Sequence, residues 1–182
     1  WEFDDMGADA VIFETWTKES LAGAVVLLSG GLDSVTLLHF LRRRAAVPAI
    51  FALSFDYGQK HSRELEAARW QAAAAGVREH RVIDVSFFGG LVTGASALTD
   101  PNLPVPNMAD LDPQTRRQPP TYVPNRNLTL LSLAAAYAES LGIRDVFYGA
   151  QRQDEYGYWD CTEEFLAAAN SVLALNRRQA VR

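Results

Sequence analysis

The residues best suited to chemistry are Ser29-Gly30-Gly31-Leu32-Asp33-Ser34, which follow directly on the apolar run Val25-Val26-Leu27-Leu28. Two hydroxyls, two glycines and a carboxylate packed this closely, between a strand and a helix start, suit a phosphate group. Glycine lets backbone N–H groups approach an anion, the helix N-terminus adds positive dipole, and Ser29 and Ser34 add hydroxyl donors. Asp33 reads as a helix cap or as a group that positions a metal near a nucleotide. The loop lacks the Gly-Lys-Ser/Thr ending of a Walker A motif and the spacing of the dinucleotide Gly-x-Gly-x-x-Gly motif.

Three further stretches carry polar and aromatic groups of the right kind. Phe55-Asp56-Tyr57-Gly58-Gln59-Lys60-His61 follows a second apolar run, and Thr121-Tyr122-Val123-Pro124-Asn125-Arg126-Asn127 opens a helix. Gln151 to Cys161 includes Asp154, Tyr156, Tyr158 and Asp160. Arg126 is the strongest cation for phosphate or carboxylate, because its planar fork binds bidentately. Tyr57, Tyr122, Tyr156 and Tyr158 can stack on a purine, although each alone also suits plain packing. Asn125 and Asn127 have helix capping as their alternative, Asp154 and Asp160 loop capping, and His61 a solvated helix start. His39 and His80 stand alone and read as structural.

The elements that must position these residues alternate. Strands are expected at Ala24–Leu28, Ala49–Phe55, Glu79–Val85 and Asp145–Tyr148, and helices at Asp33–Arg44, Ser62–Ala75, Asn127–Leu141 and Glu163–Asn176. Continuous apolar strands alternating with helices predict an α/β fold, a Rossmann-like doubly wound parallel sheet with its ligands at the strands' carboxyl ends. Residues 24–182 read as one phosphate-binding α/β domain behind an extension, residues 1–23, of open role. The proline-rich stretch Ser86–Pro124 reads as one long loop covering the site, with a tolerated surface insertion as the alternative.

Composition narrows the class. The chain has 182 residues, a formal net charge of −5 and one cysteine, Cys161. No apolar run reaches the ~20 residues that span a bilayer. One cysteine rules out an internal disulfide framework and fits a reducing compartment, so a cytoplasmic enzyme with no membrane partner is expected. The acidic balance argues against a direct nucleic-acid partner.

In combination, SGGLDS, FDYGQKH, Ser96-Ala97-Leu98-Thr99, TYVPNRN and the Asp154–Cys161 segment resemble the QueC family of the ATP pyrophosphatase (PP-loop) superfamily. The resemblance runs from about Ala24 to Phe165. It implies ATP-dependent conversion of 7-carboxy-7-deazaguanine and ammonia to 7-cyano-7-deazaguanine, in queuosine biosynthesis. Ser29, Asp33, Ser34 and Arg126 would be catalytic. Leu28, Ser29, Gly30, Gly31, Leu32, Asp33, Ser34, Phe55, Tyr57, Gln59, His61 and Arg126 would bind ATP, with Mg²⁺ offsetting phosphate charge. Tyr122, Asn125, Asn127, Asp154, Tyr158 and Asp160 would bind the deazaguanine, Asp154 or Asp160 by accepting from its N1–H and amine.

The chain departs from this family in two places. The four C-terminal cysteines that hold the family's Zn²⁺ are missing, and one cysteine without a nearby histidine cannot make a tetrahedral zinc site; the C-terminal zinc part is expected to be absent from the sequence as given, the alternative being a divergent, zinc-free relative. Gln151, Glu155, Tyr156 and Trp159 differ from the family's substrate segment, and Trp159 in place of proline is expected to reshape the base pocket. Two other readings remain open: transfer of the activated deazaguanine to a partner protein, and a non-catalytic ATP-binding module. A homodimer is the assembly entertained.

Overall fold

The structure, a computed structural model, describes residues 21–58, 62–98, 119–151, 158–176 and 179–182. The first twenty residues of the extension, Gln59, His61, Asp154 and Tyr156 lie outside the described residues.

Strand β1 is Ala24–Leu27, followed by helix α1 (Leu32–Arg43), β2 (Ile50–Asp56), α2 (Ser62–Ala75) and β3 (Glu79–Asp84). Then come α3 (Ser86–Leu91), α4 (Arg126–Leu141), β4 (Asp145–Phe147), a 3₁₀ turn at Trp159–Cys161 and α5 (Glu163–Leu173). The sheet order is β3-β2-β1-β4 and every pairing is parallel. The chain thus builds outward from β1 to β3 and returns to the other side of β1, which puts the switch point between β1 and β4. Beyond β4, Arg182 N donates to Arg144 O at 2.7 Å and Arg182 O accepts from Val146 N at 2.7 Å, adding one parallel rung at that edge.

Side chains on β1 alternate between two cores, as the two-residue period of a strand requires. Val25 and Leu27 pack with Leu53 and Phe55 of β2 and with Leu130, Ala134 and Ala138 of α4. Ala24, Val26 and Leu28 pack with Leu38 and Leu41 of α1 and with Ala68 and Ala72 of α2. A strand buried on both faces has no room for a polar residue, which is why β1 reads as an unbroken apolar run. The fold is therefore the expected doubly wound parallel sheet with helices on both faces.

Ser86–Pro124 is not structureless throughout, because α3 occupies its first turn and a half. The sequence Phe87-Phe88-Gly89-Gly90 has poor helix propensity, yet Phe88 is 7 % exposed and sits in the first core, and Ser86 N donates to Asp84 Oδ1 at 2.8 Å to start the turn. Packing overrides propensity here.

Leu38 of α1 is fully buried in the second core. Leu38→Ala should lower unfolding free energy by about 2–5 kcal/mol, read as a shift of the urea midpoint without a change of slope. A loss below about 1 kcal/mol would show that α1 packs on the sheet more loosely than this.

Candidate active site

The carboxyl ends of β1, β2 and β4 open into a cleft of about 340 Å³. The chain that leaves β1 lines it with Leu28, Ser29, Gly31, Asp33 and Ser34; the chain around the end of β2 adds Phe55 and Tyr57; and Tyr148, Gly149 and Ala150 follow β4. Arg126, Asn127 and Cys161 face the same space. A volume of this order is ordinary for a small-molecule site, and its place at the switch point is where open parallel sheets bind ligands.

Two glycines make the loop's shape. Gly30 has φ +90°, and a Cβ there would lie 2.0 Å from the Glu64 carbonyl oxygen at the start of α2. Gly149 is pressed on the other side, where a Cβ would come within 2.9 Å of Ser34 N and 3.0 Å of Asp33 C. The loop is therefore wedged between α2 and the chain that follows β4. Gly30 itself serves this packing and does not line the cleft, and Leu32 points outward at 81 % exposure.

Within the loop the hydroxyl roles follow from donor counting. Ser34 Oγ donates to Gly31 O at 3.0 Å, so across the 3.0 Å contact with Ser29 Oγ it can only accept. Ser29 Oγ also accepts from Gly31 N at 3.2 Å. Both hydroxyl protons are thus committed within the loop, and a ligand that recruits either one must break a bond to do so.

Asp33 is not the helix cap. The helix begins one residue earlier than expected, Gly31 holds the N-cap position without a side-chain capping bond, and Asp33 sits in the first turn. Its Oδ1 instead accepts from Gln151 Nε2, which follows β4. That bond ties the two chain segments flanking the switch point.

The start of α4 is capped from elsewhere in the chain. Asn125 occupies the N-cap position in the left-handed region (φ 53°), and its side chain makes no capping bond there. The N–H of Asn127, an orphan of the first turn, donates to Asp160 Oδ2 at 3.3 Å. Asn127 also donates from Nδ2 to Cys161 Sγ at 3.5 Å, and its Oδ1 accepts from Arg126 Nε at 3.2 Å. Asp160 is 2 % exposed, and its Oδ1 has no partner among the described residues. Burial pushes its carboxyl above the ordinary range, against the pull of the Asn127 N–H and the Arg126 charge. Burial likewise holds the Tyr148 phenol well above its usual value, and Tyr148 Oη donates to Asp160 O at 3.1 Å.

Tyr122, Tyr158 and Trp159 form a clasp beside the cleft, not part of its lining. Tyr122 Oη accepts from Trp159 Nε1 at 2.7 Å and from Asn125 N at 3.1 Å, while Thr121 Oγ1 and Tyr158 Oη lie 2.5 Å apart. Trp159 thus fastens the segment before α4 to the segment after β4; it forms no wall of the cleft. Sequence reading missed Glu64, which lines the cleft from α2, and the small residues Gly149 and Ala150. A carboxylate in the first turn of a helix that follows a candidate ligand segment was the available signal for Glu64.

Metal fit can be judged from the donors. Among the described residues no three His, Cys, Asp or Glu side chains are grouped to hold an ion. Asp33 and Glu64 are the cleft's carboxylates, and one or two carboxylates plus phosphate oxygens suit Mg²⁺, which keeps several waters. A zinc site built on several thiolates does not fit this sequence, whose one cysteine is Cys161. No described helix is long and apolar enough to cross a membrane.

A family model described as "Queuosine biosynthesis protein QueC" matches residues 23–182. The chain is 47 % identical over 156 residues to a 7-cyano-7-deazaguanine synthase from Thermosynechococcus vestitus, covering 86 % of this chain and 65 % of that protein. It is 47 % identical over 160 residues to one from Cupriavidus necator, covering 87 % and 66 %. The chain thus spans just under two thirds of the length of the curated relatives it matches. Among solved structures it resembles an NH3-dependent NAD synthetase from Campylobacter jejuni, with a TM-score of 0.49 and 19 % identity over 92 % of this chain and 70 % of that one; a likeness this distant assigns no chemistry.

The buried carboxyl gives a pH-dependent test. Below the ordinary carboxylate range Asp160 is protonated in both folded and unfolded chains. As pH rises through that range toward its raised folded value, the unfolded chain releases the proton first, so folding weakens until the folded group ionises too. Asp160→Asn keeps an acceptor for Asn127 N and cannot ionise. Urea unfolding between about pH 3 and pH 7 should show the wild type losing stability relative to the variant as pH rises. A difference that stays constant would show that burial leaves this carboxyl unshifted.

Proposed function

The chain belongs to the QueC family, and we propose that it carries the ATP site and part of the acceptor site of a ligase. That ligase makes 7-cyano-7-deazaguanine from 7-carboxy-7-deazaguanine and ammonia. The observation that carries this reading is one cleft lined by both the Ser29–Ser34 loop and Arg126.

A carboxylate is a poor electrophile, so the reaction needs its oxygen turned into a leaving group. Transfer of adenylate does this and releases pyrophosphate. The loop's backbone N–H groups and the start of α1 receive the negative charge that builds on the departing phosphates, and Ser29 and Ser34 exchange their internal bonds for bonds to it. Asp33 and Glu64 are the residues that would hold Mg²⁺, which offsets phosphate charge when bound. Arg126, kept in orientation by Asn127 Oδ1, steadies the reacting carboxylate or the α-phosphate. Ammonia displaces the adenylate to give an amide, and a second activation of that amide with loss of its oxygen gives the nitrile.

The apolar lining from Leu27, Leu53, Phe55 and Leu130 supports a place for the adenine ring near the end of β2. The acceptor is assigned to the side where Arg126, Asn127, Tyr148 and Cys161 lie, with Asp160 and the Tyr122–Tyr158 clasp behind them. Asp160 serves this side best by holding the first turn of α4, since its Oδ2 is already engaged by Asn127 N. Gln59, His61 and Asp154 remain proposed ligands.

Mass spectrometry of a reaction with ATP, Mg²⁺, ammonium and 7-carboxy-7-deazaguanine tests the reading directly. The nitrile is the expected product, and ATP binding without any conversion would favour the non-catalytic module. Ser29→Ala and Asp33→Ala should abolish turnover with circular dichroism unchanged; full activity in either would remove the phosphate site. Arg126→Ala should cost about 2–4 kcal/mol of transition-state stabilisation, and a loss under about tenfold, or about 1.4 kcal/mol, would place Arg126 outside the reaction.

A further inference from the structure

The last carbonyl of the apolar run, at Leu28, is held by a relay of two residues that do not line the cleft. Ser54 on β2 is 1 % exposed, and its Oγ donates to Leu28 O at 2.5 Å. Ser54 Oγ also lies 2.8 Å from His80 Nε2 on β3. A carbonyl can only accept, so the serine proton goes to Leu28 and the histidine must donate from Nε2. Burial, with the Arg69 charge of α2 as a second cause, holds His80 below the ordinary imidazole range. At neutral pH it is therefore an uncharged ring carrying its proton on Nε2, with a fixed tautomer.

This relay sets the peptide that enters the phosphate loop. Leu28 N donates to Leu53 O at 2.7 Å, so both polar groups of Leu28 point toward β2. The Leu28–Ser29 peptide is trans, and a trans unit directs its N–H opposite to its C=O. Fixing the Leu28 carbonyl toward β2 therefore turns the Ser29 N–H away from it, to the β4 side of β1, where the switch-point cleft opens. Beyond Leu27 the β1–β2 ladder has ended, and Ser54 supplies the bond that ladder geometry no longer provides.

We propose that Ser54 and His80 are positioning residues for the phosphate loop, fixing the Ser29 peptide so that its N–H faces the anion. The inference rests on the phosphate-site reading of Ser29–Ser34 and adds two residues to it. Neither lines the cleft, so any effect on ligand must pass through the loop backbone. The ligand class is the pyrophosphate group, whether free or as part of ATP.

Calorimetric titration of this chain with inorganic pyrophosphate, and separately with adenosine, tests it. His80→Leu and Ser54→Ala should each weaken pyrophosphate binding about tenfold, the scale of one lost orienting hydrogen bond, with adenosine affinity unchanged. His80→Gln, whose amide can donate to Ser54 Oγ, should restore most of the loss. Pyrophosphate affinity within about twofold of wild type in both disrupting variants overturns the relay alone, on the same energetic scale. Equal weakening for adenosine and pyrophosphate overturns it too, as a general loosening of the sheet. If the wild type binds adenosine but no pyrophosphate, the phosphate-site reading fails together with the relay.

Discussion

The site depends on a close approach of three backbones that only glycine permits. At Gly30 the loop meets the first turn of α2, and at Gly149 the chain after β4 meets the first turn of α1. In both places the contact atoms belong to the backbone and cannot swing away as a side-chain tip would. The loop's curvature, the direction of α1 and the width of the cleft follow from these two contacts. The Asp33–Gln151 bond and the Ser29–Ser34 hydroxyl pair trim a shape that the glycines have already set.

On the other side of the cleft, one buried carboxylate does the organising. Asp160 joins the first turn of α4 to the 3₁₀ turn, and through its carbonyl it also takes the Tyr148 hydroxyl. Its Oδ2 holds the Asn127 N–H, while its Oδ1 has no partner among the described residues. The cost of burying this carboxylate is part of how this half of the site is built. Trp159, Tyr122, Tyr158 and Thr121 then lock the same two segments from outside the cleft.

The sequence displayed the sheet clearly because a strand buried on both faces must be apolar at every position, as Val25 to Leu28 are. The helix at Ser62–Ala75 was legible to the residue, since its Ala-rich run stops at Gly76. What it hid were features set by distant contact. Asp33 looks like a helix cap, but Gln151, remote in sequence, claims its carboxylate. Asn125 and Asn127 look like caps, but the cap of α4 is Asp160. Trp159 looked like a change to the pocket and is a fastening beside it. Short-range patterns record propensity and period, and none of these bonds is short-range.

The sheet order has a consequence for how the cleft comes into being. β1, β2 and β3 are joined in sequence by single helices, so their pairing closes short loops. β4 is the neighbour of β1 as well, yet two strands and four described helices lie between them along the chain. Closing that larger loop carries the greater entropic cost and gives the fold contacts of long sequence separation. The half of the site on β1 and β2 can therefore be built without the half on β4, but not the cleft. A nucleotide that touches both halves binds only the chain in which β4 has docked, and so fastens together the two sides of the sheet that the polypeptide itself connects least directly.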